Sequence, residues 1–147
     1  MLRGNALAKI DDKGRLKVPA AFRAVLEPKF GNEYFVTSLR GDSIRIYPLD
    51  TWMEIERRLS RTSSLNPAVI KFKNAVNYYG SSASMDAQGR ILLHPLVRDR
   101  AGVSEGDVAV LGQQDFLEVW NRESFERRLL DDPLTDDDLG RLAERGL

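Results

Sequence analysis

The chain has 147 residues, 42% hydrophobic and 30% charged, enough for one sizeable core but with no apolar run near the roughly 20 residues a membrane helix needs. It has no cysteine, which excludes disulfides, thiolate metal sites and cysteine nucleophiles, and its one histidine, His94, excludes a histidine pair on a metal. Net charge is zero, yet polarised: residues 1–25 carry six cations against two carboxylates, and residues 131–147 six carboxylates against two cations. Met1–Ala6 is not an apolar leader, so a cytoplasmic location is expected.

In chain order, a first strand ends at Ile10, and a turn follows in which Gly14 suits a positive φ. The strand Arg15–Val18 alternates, with Leu16 and Val18 inward and Arg15 and Lys17 outward. Pro19 opens a short helix with Phe22, Val25 and Leu26 on its apolar face, and Pro28 and Gly31 end it. Glu33–Ser38 and Ser43–Tyr47 read as strands joined at Arg40-Gly41-Asp42. Thr51-x-x-Glu54 has the form of a capping box, and the helix after it buries Trp52, Ile55 and Leu59.

Ser60–Leu65 reads as a polar loop. Asn66 caps a third helix with Pro67 at its first position and Val69, Phe72 and Val76 on its apolar face. A strand then ends at Met85, and Arg90–Leu93 comes after the turn at Gly89. This second short strand has Leu92 where the first has Lys17, so burial on both sides is expected, against the other half or another subunit. Ser104–Asp107 is a turn, Val108–Leu111 and Phe116–Trp120 are strands, and Asn121 or Ser124 caps a helix carrying Phe125 and Leu129. Thr135-x-x-Asp138 caps a terminal helix with Leu139 and Leu142, its acidic first turn suiting the helix dipole.

The chain contains itself twice. Ile10-Asp11-Asp12-Lys13-Gly14-Arg15-Leu16 resembles Met85-Asp86-Ala87-Gln88-Gly89-Arg90-Ile91 at an offset of 75, and Ser43–Tyr47 resembles Phe116–Trp120. The chain thus divides into four segments: residues 5–60, a first half; 61–79, a connecting helix; 80–130, a second half; and 131–147, an acidic terminal helix. A half of some 50 residues with open strand edges has too little core to stand alone, so the halves are expected to pair by interleaving into a closed barrel.

The Asp-x-x-Gly-Arg turn, with a strand and a short helix after it, resembles the AbrB-type swapped-hairpin family. The duplicated form, with Arg3-Gly4, Lys13-Gly14-Arg15-Leu16, Ser64-Leu65-Asn66-Pro67 and Met85-Asp86-x-x-Gly89-Arg90, is similar to MraZ proteins over nearly the whole chain. One departure stands at His94, where the family pattern often has proline, and it could shift the start of the next helix. The resemblance implies an α+β, β-rich fold of two AbrB-like halves in a pseudo-dimer with peripheral helices. It implies a ring-shaped homo-oligomer that binds double-stranded DNA at short direct repeats in the promoter of its own cell-division and cell-wall gene cluster. That would make the chain a nucleoid-associated transcriptional regulator.

Two roles compete at each turn. Asp11 and Asp86 can accept turn N–H groups and pair with Arg15 and Arg90, locking the turn, or the arginines can be held upright for DNA. Asp11, Gly14, Asp86, Gly89 and Arg90 are read as structural. Arg15, Lys13, Lys9 and Lys17, as a ladder on one two-stranded ribbon, are read as DNA-binding, with Arg3 and Arg23 as added phosphate contacts. Gln88, Ser84 and Leu92 replace three of these cations in the second half, so the first half is expected to read DNA and the second to build the fold. No phosphate loop, nucleophile elbow or metal-ligand spacing is present, so no enzyme, cofactor, metal or small-molecule substrate is expected. The rival is a structural or protein-binding ring without a DNA-reading role, which the neutral charge suits.

Overall fold

The structure is a computed structural model describing residues 1–104 and 106–147. The strands are β1 (Asn5–Lys9), β2 (Arg15–Lys17), β3 (Glu33–Thr37), β4 (Ile44–Pro48), β5 (Ser81–Ser84), β6 (Arg90–Leu92), β7 (Asp107–Gly112) and β8 (Leu117–Asn121). The helices are α1 (Ala20–Phe30), α2 (Leu49–Ser60), α3 (Pro67–Tyr78), α4 (Pro95–Ala101), α5 (Arg122–Asp131) and α6 (Asp136–Glu144). The turn expected over residues 104–107 includes Glu105, which lies outside the described residues.

Six strands form one antiparallel sheet in the order β1-β7-β8-β4-β3-β5, and β2 and β6 form a separate two-stranded ribbon. Four of the pairings cross between the repeats in a matched way. β1 pairs with β7 while β5 pairs with β3, and β2 pairs with β6. β4 and β8, equivalent strands, meet at the middle of the sheet. The two halves read from the sequence therefore share one core, to which residues 131–147 contribute no buried residue.

That core lies between the ribbon and the inner face of the sheet. Leu16, Val18, Ile91 and Leu93 point in from the ribbon side and meet Val36, Ile44, Ile46, Val108, Val110 and Val119. All ten are almost fully buried, and each such side chain contributes about 1.5–3 kcal/mol relative to exposure. Phe22 and Leu26 of α1 and Val97 of α4 close the sides. The outer face of the sheet is aromatic. Trp52 stacks on Phe35 at 4.7 Å between centroids, and Tyr47 stacks on Phe116 at 4.8 Å. At the seam, Glu118 lies opposite Arg45 in register and accepts a hydrogen bond from Ser43 Oγ at 2.8 Å.

Several expectations need correction. The barrel is not closed: the six-stranded sheet ends at β1 on one side and β5 on the other. β1 and β2 do not form a hairpin ladder either. They share only the Ile10–Leu16 bridge, after which the chain crosses to the other repeat. The Asp11 side chain takes the N–H groups that would continue a tight turn, and the strands diverge. Leu92 is 52% exposed in the single chain, so the other half does not cover the second face of its strand.

Thr51-x-x-Glu54 is not a capping box. α2 starts at Leu49 straight after Pro48, so Thr51 is already helical, and Glu54 pairs with Arg57 and Arg58 instead. Pro28 does not stop α1, which continues to Phe30 and ends at Gly31. A proline in the last turn forfeits one backbone bond, and Phe30 packs on the core beyond it.

Other readings agree with the structure. Asn66 caps α3, Asn121 caps α5, and Thr135 with Asp138 forms a full capping box on α6. His94 shifts nothing: α4 begins one residue after it, as α1 begins one residue after Pro19.

The ribbon's two faces should respond differently to truncation. Leu16→Ala is expected to lower unfolding free energy by about 2–5 kcal/mol, and Leu92→Ala to change it by no more than about 0.5 kcal/mol. Chemical denaturation of the two variants checks this.

Candidate nucleic-acid interface

Each short strand of the ribbon is launched by the same turn. In the first, Asp11 Oδ1 accepts from the backbone N–H groups of Lys13 at 3.0 Å and Arg15 at 2.8 Å, while Oδ2 accepts from Arg15 Nε at 2.7 Å. In the second, Asp86 Oδ1 accepts from Gln88 and Arg90, both at 2.9 Å, and Oδ2 accepts from Arg90 Nε at 2.8 Å. The backbone N–H donors, led by that of Arg15 or Arg90, hold both carboxyls below the usual value near 3.8. Each arginine is fixed at its Nε, a buttressed side chain on a rigid element.

Gly14 and Gly89 have φ of +83° and +78°. A side chain at either position would be strained, and it would also meet an arginine from the other repeat. A Cβ on Gly14 would lie 2.6 Å from Arg98 Nε, and one on Gly89 would lie 2.9 Å from Arg23 Nη1. The helices are thus exchanged like the strands: α4 covers the first turn and α1 the second. Arg23 Nη2 donates to the Ala87 carbonyl at 3.0 Å and its Nε pairs with Glu27, while Arg98 Nε donates to the Leu93 carbonyl at 2.7 Å.

The antiparallel register sets the ribbon's outer face. Arg15 lies opposite Leu92, and Lys17 lies opposite Arg90. With Leu16 and Ile91 buried beneath, the face carries three cations and one leucine. Lys13 stands exposed on the first turn beside it, and Asp12 is exposed next to Lys13.

The sequence-predicted residues therefore divide. Arg15, Lys13, Lys17 and Arg90 come together, with Asp11, Gly14, Asp86 and Gly89 as their support. Lys9 does not join them. It lies on β1, alternating with Ala6 and Ala8 that pack on the core, and its Nζ is 3.8 Å from Asp107 Oδ1. Arg3 is at the far end of β1 from the turn, next to Gly112 of β7. Arg23 braces the second turn. Geometry does not separate a reading half from a building half, because Lys17 and Arg90 come from different repeats and lie side by side.

Sequence reasoning misses two participants. Arg98 stands 75 residues after Arg23, the offset of the repeat, and that equivalence is the one signal that could have found it. Leu92 reads as buried because its strand is apolar at every position after Arg90. Among the described residues no group of three or more His, Cys, Asp or Glu side chains could hold a metal ion, and no helix is long and apolar enough to cross a membrane.

Comparison with known proteins places the chain. A family described as "MraZ protein, putative antitoxin-like" matches residues 1–74 and 80–138. The chain belongs to the MraZ family. The Transcriptional regulator MraZ of Acidobacterium capsulatum is 45% identical over 147 residues, covering all of both chains. That of Koribacter versatilis is 42% identical, again over the full length of both. An Escherichia coli relative of the same name is 33% identical over 133 residues, covering 90% of this chain and 87% of its own. This MraZ-family chain carries both Asp-x-x-Gly-Arg turns within the matched segments.

The depressed carboxyls predict a pH signature. A group whose folded pKa lies below its unfolded value stabilises the fold above the unfolded value, and that stabilisation is lost as pH falls through the folded one. Asp11→Asn and Asp86→Asn should each lower the melting temperature at neutral pH. The difference from wild type should shrink progressively as pH drops below about 3.8, where wild type protonates too. Thermal melts across that range check it; a difference constant with pH would contradict the turn role.

Proposed function

We propose that this chain is a transcriptional regulator, not an enzyme, that holds duplex DNA on the outer face of its β2–β6 ribbon. The relatives' shared name, Transcriptional regulator MraZ, supports the regulatory part. The observation that carries the DNA part is the ribbon face itself. Three of its four side chains are cationic, two of them are locked by carboxylates, and a two-stranded ribbon fits the major groove. Arg15, Lys17 and Arg90 would meet base edges or phosphates from the ribbon, and Lys13 phosphate from the adjacent turn. Lys9, Arg3 and Arg23 stand outside this face and would act at most on flanking backbone.

Charge sets a limit on a single ribbon. Its four cations stand among three carboxylates, Asp11, Asp12 and Asp86, so one contact is weak and salt-sensitive. We read the matched strand exchange as a swapped-hairpin pseudo-dimer, and infer that several chains close into a ring. Successive ribbons would then meet short direct repeats, with avidity rising by about 10²–10⁴ when spacings match. Two open sheet edges, β1 and β5, and exposed Leu7 on β1 support assembly. On the family resemblance, the repeats lie in the promoter of the protein's own cell-division and cell-wall gene cluster, and the protein works in the cytoplasm on the nucleoid without a cofactor.

The test is a salt titration of binding to the duplex upstream of the protein's own gene. Arg15→Ala and Arg90→Ala should each weaken binding by about tenfold per ribbon engaged, and Lys17→Ala should reduce the log–log salt slope by about 0.9 per ribbon. Unchanged affinity and slope in all three would leave the protein-binding ring as the better reading. Sedimentation of the free protein should show a closed multiple of the chain; a monomer at micromolar concentration would remove the avidity argument.

A further inference from the structure

The ribbon is symmetric in backbone and asymmetric in chemistry. Under the exchange that relates the repeats, Arg15 corresponds to Arg90, and Lys17 to Leu92. One end of the outer face thus carries Lys17 opposite Arg90, and the other carries Leu92 opposite Arg15. Leu92 is 52% exposed, while Ile91 and Leu93 beside it are fully buried. It is held up by a rigid strand, adds nothing to the core, and stands beside the cations of that face.

We infer that Leu92 makes an apolar contact with the C5-methyl group of a thymine in the major groove, and so gives the ribbon a fixed direction on DNA. The inference rests on the DNA-reading role proposed above. Three observations support it. Thymine offers the one methyl group on the base edges of the major groove, the groove that admits a ribbon of this kind. The flanking cations, Arg15 across the ribbon and Arg90 two residues earlier on the same strand, would hold that groove against the leucine. A lysine at the equivalent position on the other strand cannot make the same contact, so the two orientations of a near-symmetric ribbon would differ in energy. A site read this way is directional and repeats head to tail.

The experiment uses the full chain and the duplex upstream of its own gene, made once with thymine and once with uracil at every thymine position. Uracil pairs like thymine and lacks only the methyl group. Wild type is expected to bind the uracil duplex more weakly, by about fourfold per engaged ribbon, the value of one buried methylene-sized contact. Leu92→Ser should bind both duplexes equally, and Leu92→Met should restore the preference. Lys17→Ala should weaken both duplexes alike and keep the thymine preference.

Failure can be assigned. If wild type holds neither duplex in a salt-dependent way, the DNA-reading role falls and the contact falls with it. If wild type binds but shows no uracil penalty, or if the penalty survives Leu92→Ser, the leucine contact alone is overturned. If Leu92→Ser changes the sedimentation coefficient while leaving the penalty intact, the leucine is an interface between copies, and the inference is likewise wrong.

Discussion

Neither repeat of this chain can complete its own hydrophobic face. Each presents a first strand, a three-residue second strand and a short helix, and both strands find their ladder partners in the other repeat. The core closes only because each repeat lends these elements to the other. β1 finishes the sheet beside β7, β5 finishes it beside β3, and the two short strands pair into one ribbon. Leu16 and Ile91, neighbours across that ribbon, are completely buried together. The arginine caps repeat the exchange at the turns, with Arg98 over Gly14 and Arg23 over Gly89. Every feature of the candidate interface depends on this reciprocity: the ribbon exists only if both repeats are folded, so its outward side chains are assembled by the same contacts that build the core.

Much of this is legible in the sequence, for identifiable reasons. The offset between the two Asp-x-x-Gly-Arg segments reveals both short strands, because an aspartate that caps its own turn and a glycine with positive φ leave little freedom to the next residues. Helix starts at Asn66, Asn121 and Thr135 are readable because side-chain caps are local chemistry. Partner choice is not legible. Adjacent strands joined by a short turn usually pair, so β1 and β2 read as a hairpin with Lys9, Lys13, Arg15 and Lys17 in one ladder. The pairing is instead with strands some 75 to 100 residues away, which no local pattern reports. Lys9 leaves the site and Arg90 joins it for that single reason. Leu92 is misplaced by the same route: an apolar residue suggests a face covered by the other half, although register sets it on the ribbon's outward face.

The neutral net charge, which argues against nucleic acid when taken as a sum, is compatible with it when placed in space. The carboxylates at the ribbon are largely committed to its construction. Asp11 and Asp86 spend their oxygens on backbone N–H groups and on the arginine Nε atoms, which orients the guanidinium groups and reduces their charge toward a phosphate. Such a surface favours geometry over raw attraction. Under the proposed role it would discriminate by where its donors point, and would gain strength from being presented several times. The carboxylates of residues 131–147 lie on a different part of the chain, at the end of α5 and in α6, two helices with no buried residue, and cancel the formal charge without neutralising the ribbon.

Fusing the two repeats into one chain has a further physical consequence. In a dimer of identical short chains every substitution on the ribbon appears twice, related by the two-fold axis, and the surface must read the same in both directions. In a tandem repeat the two strands can diverge while the buried residues that hold them together stay matched. The inward pairs of this chain remain apolar on both sides, Leu16 with Ile91 and Val18 with Leu93. The outward and turn positions have separated into Lys17 and Leu92, Lys13 and Gln88, and Asp12 and Ala87. Packing constrains the first set because a volume error is felt by both repeats, and solvent leaves the second free. The differences therefore accumulate where a duplex would be met, and they convert a symmetric scaffold into a surface with two unlike ends.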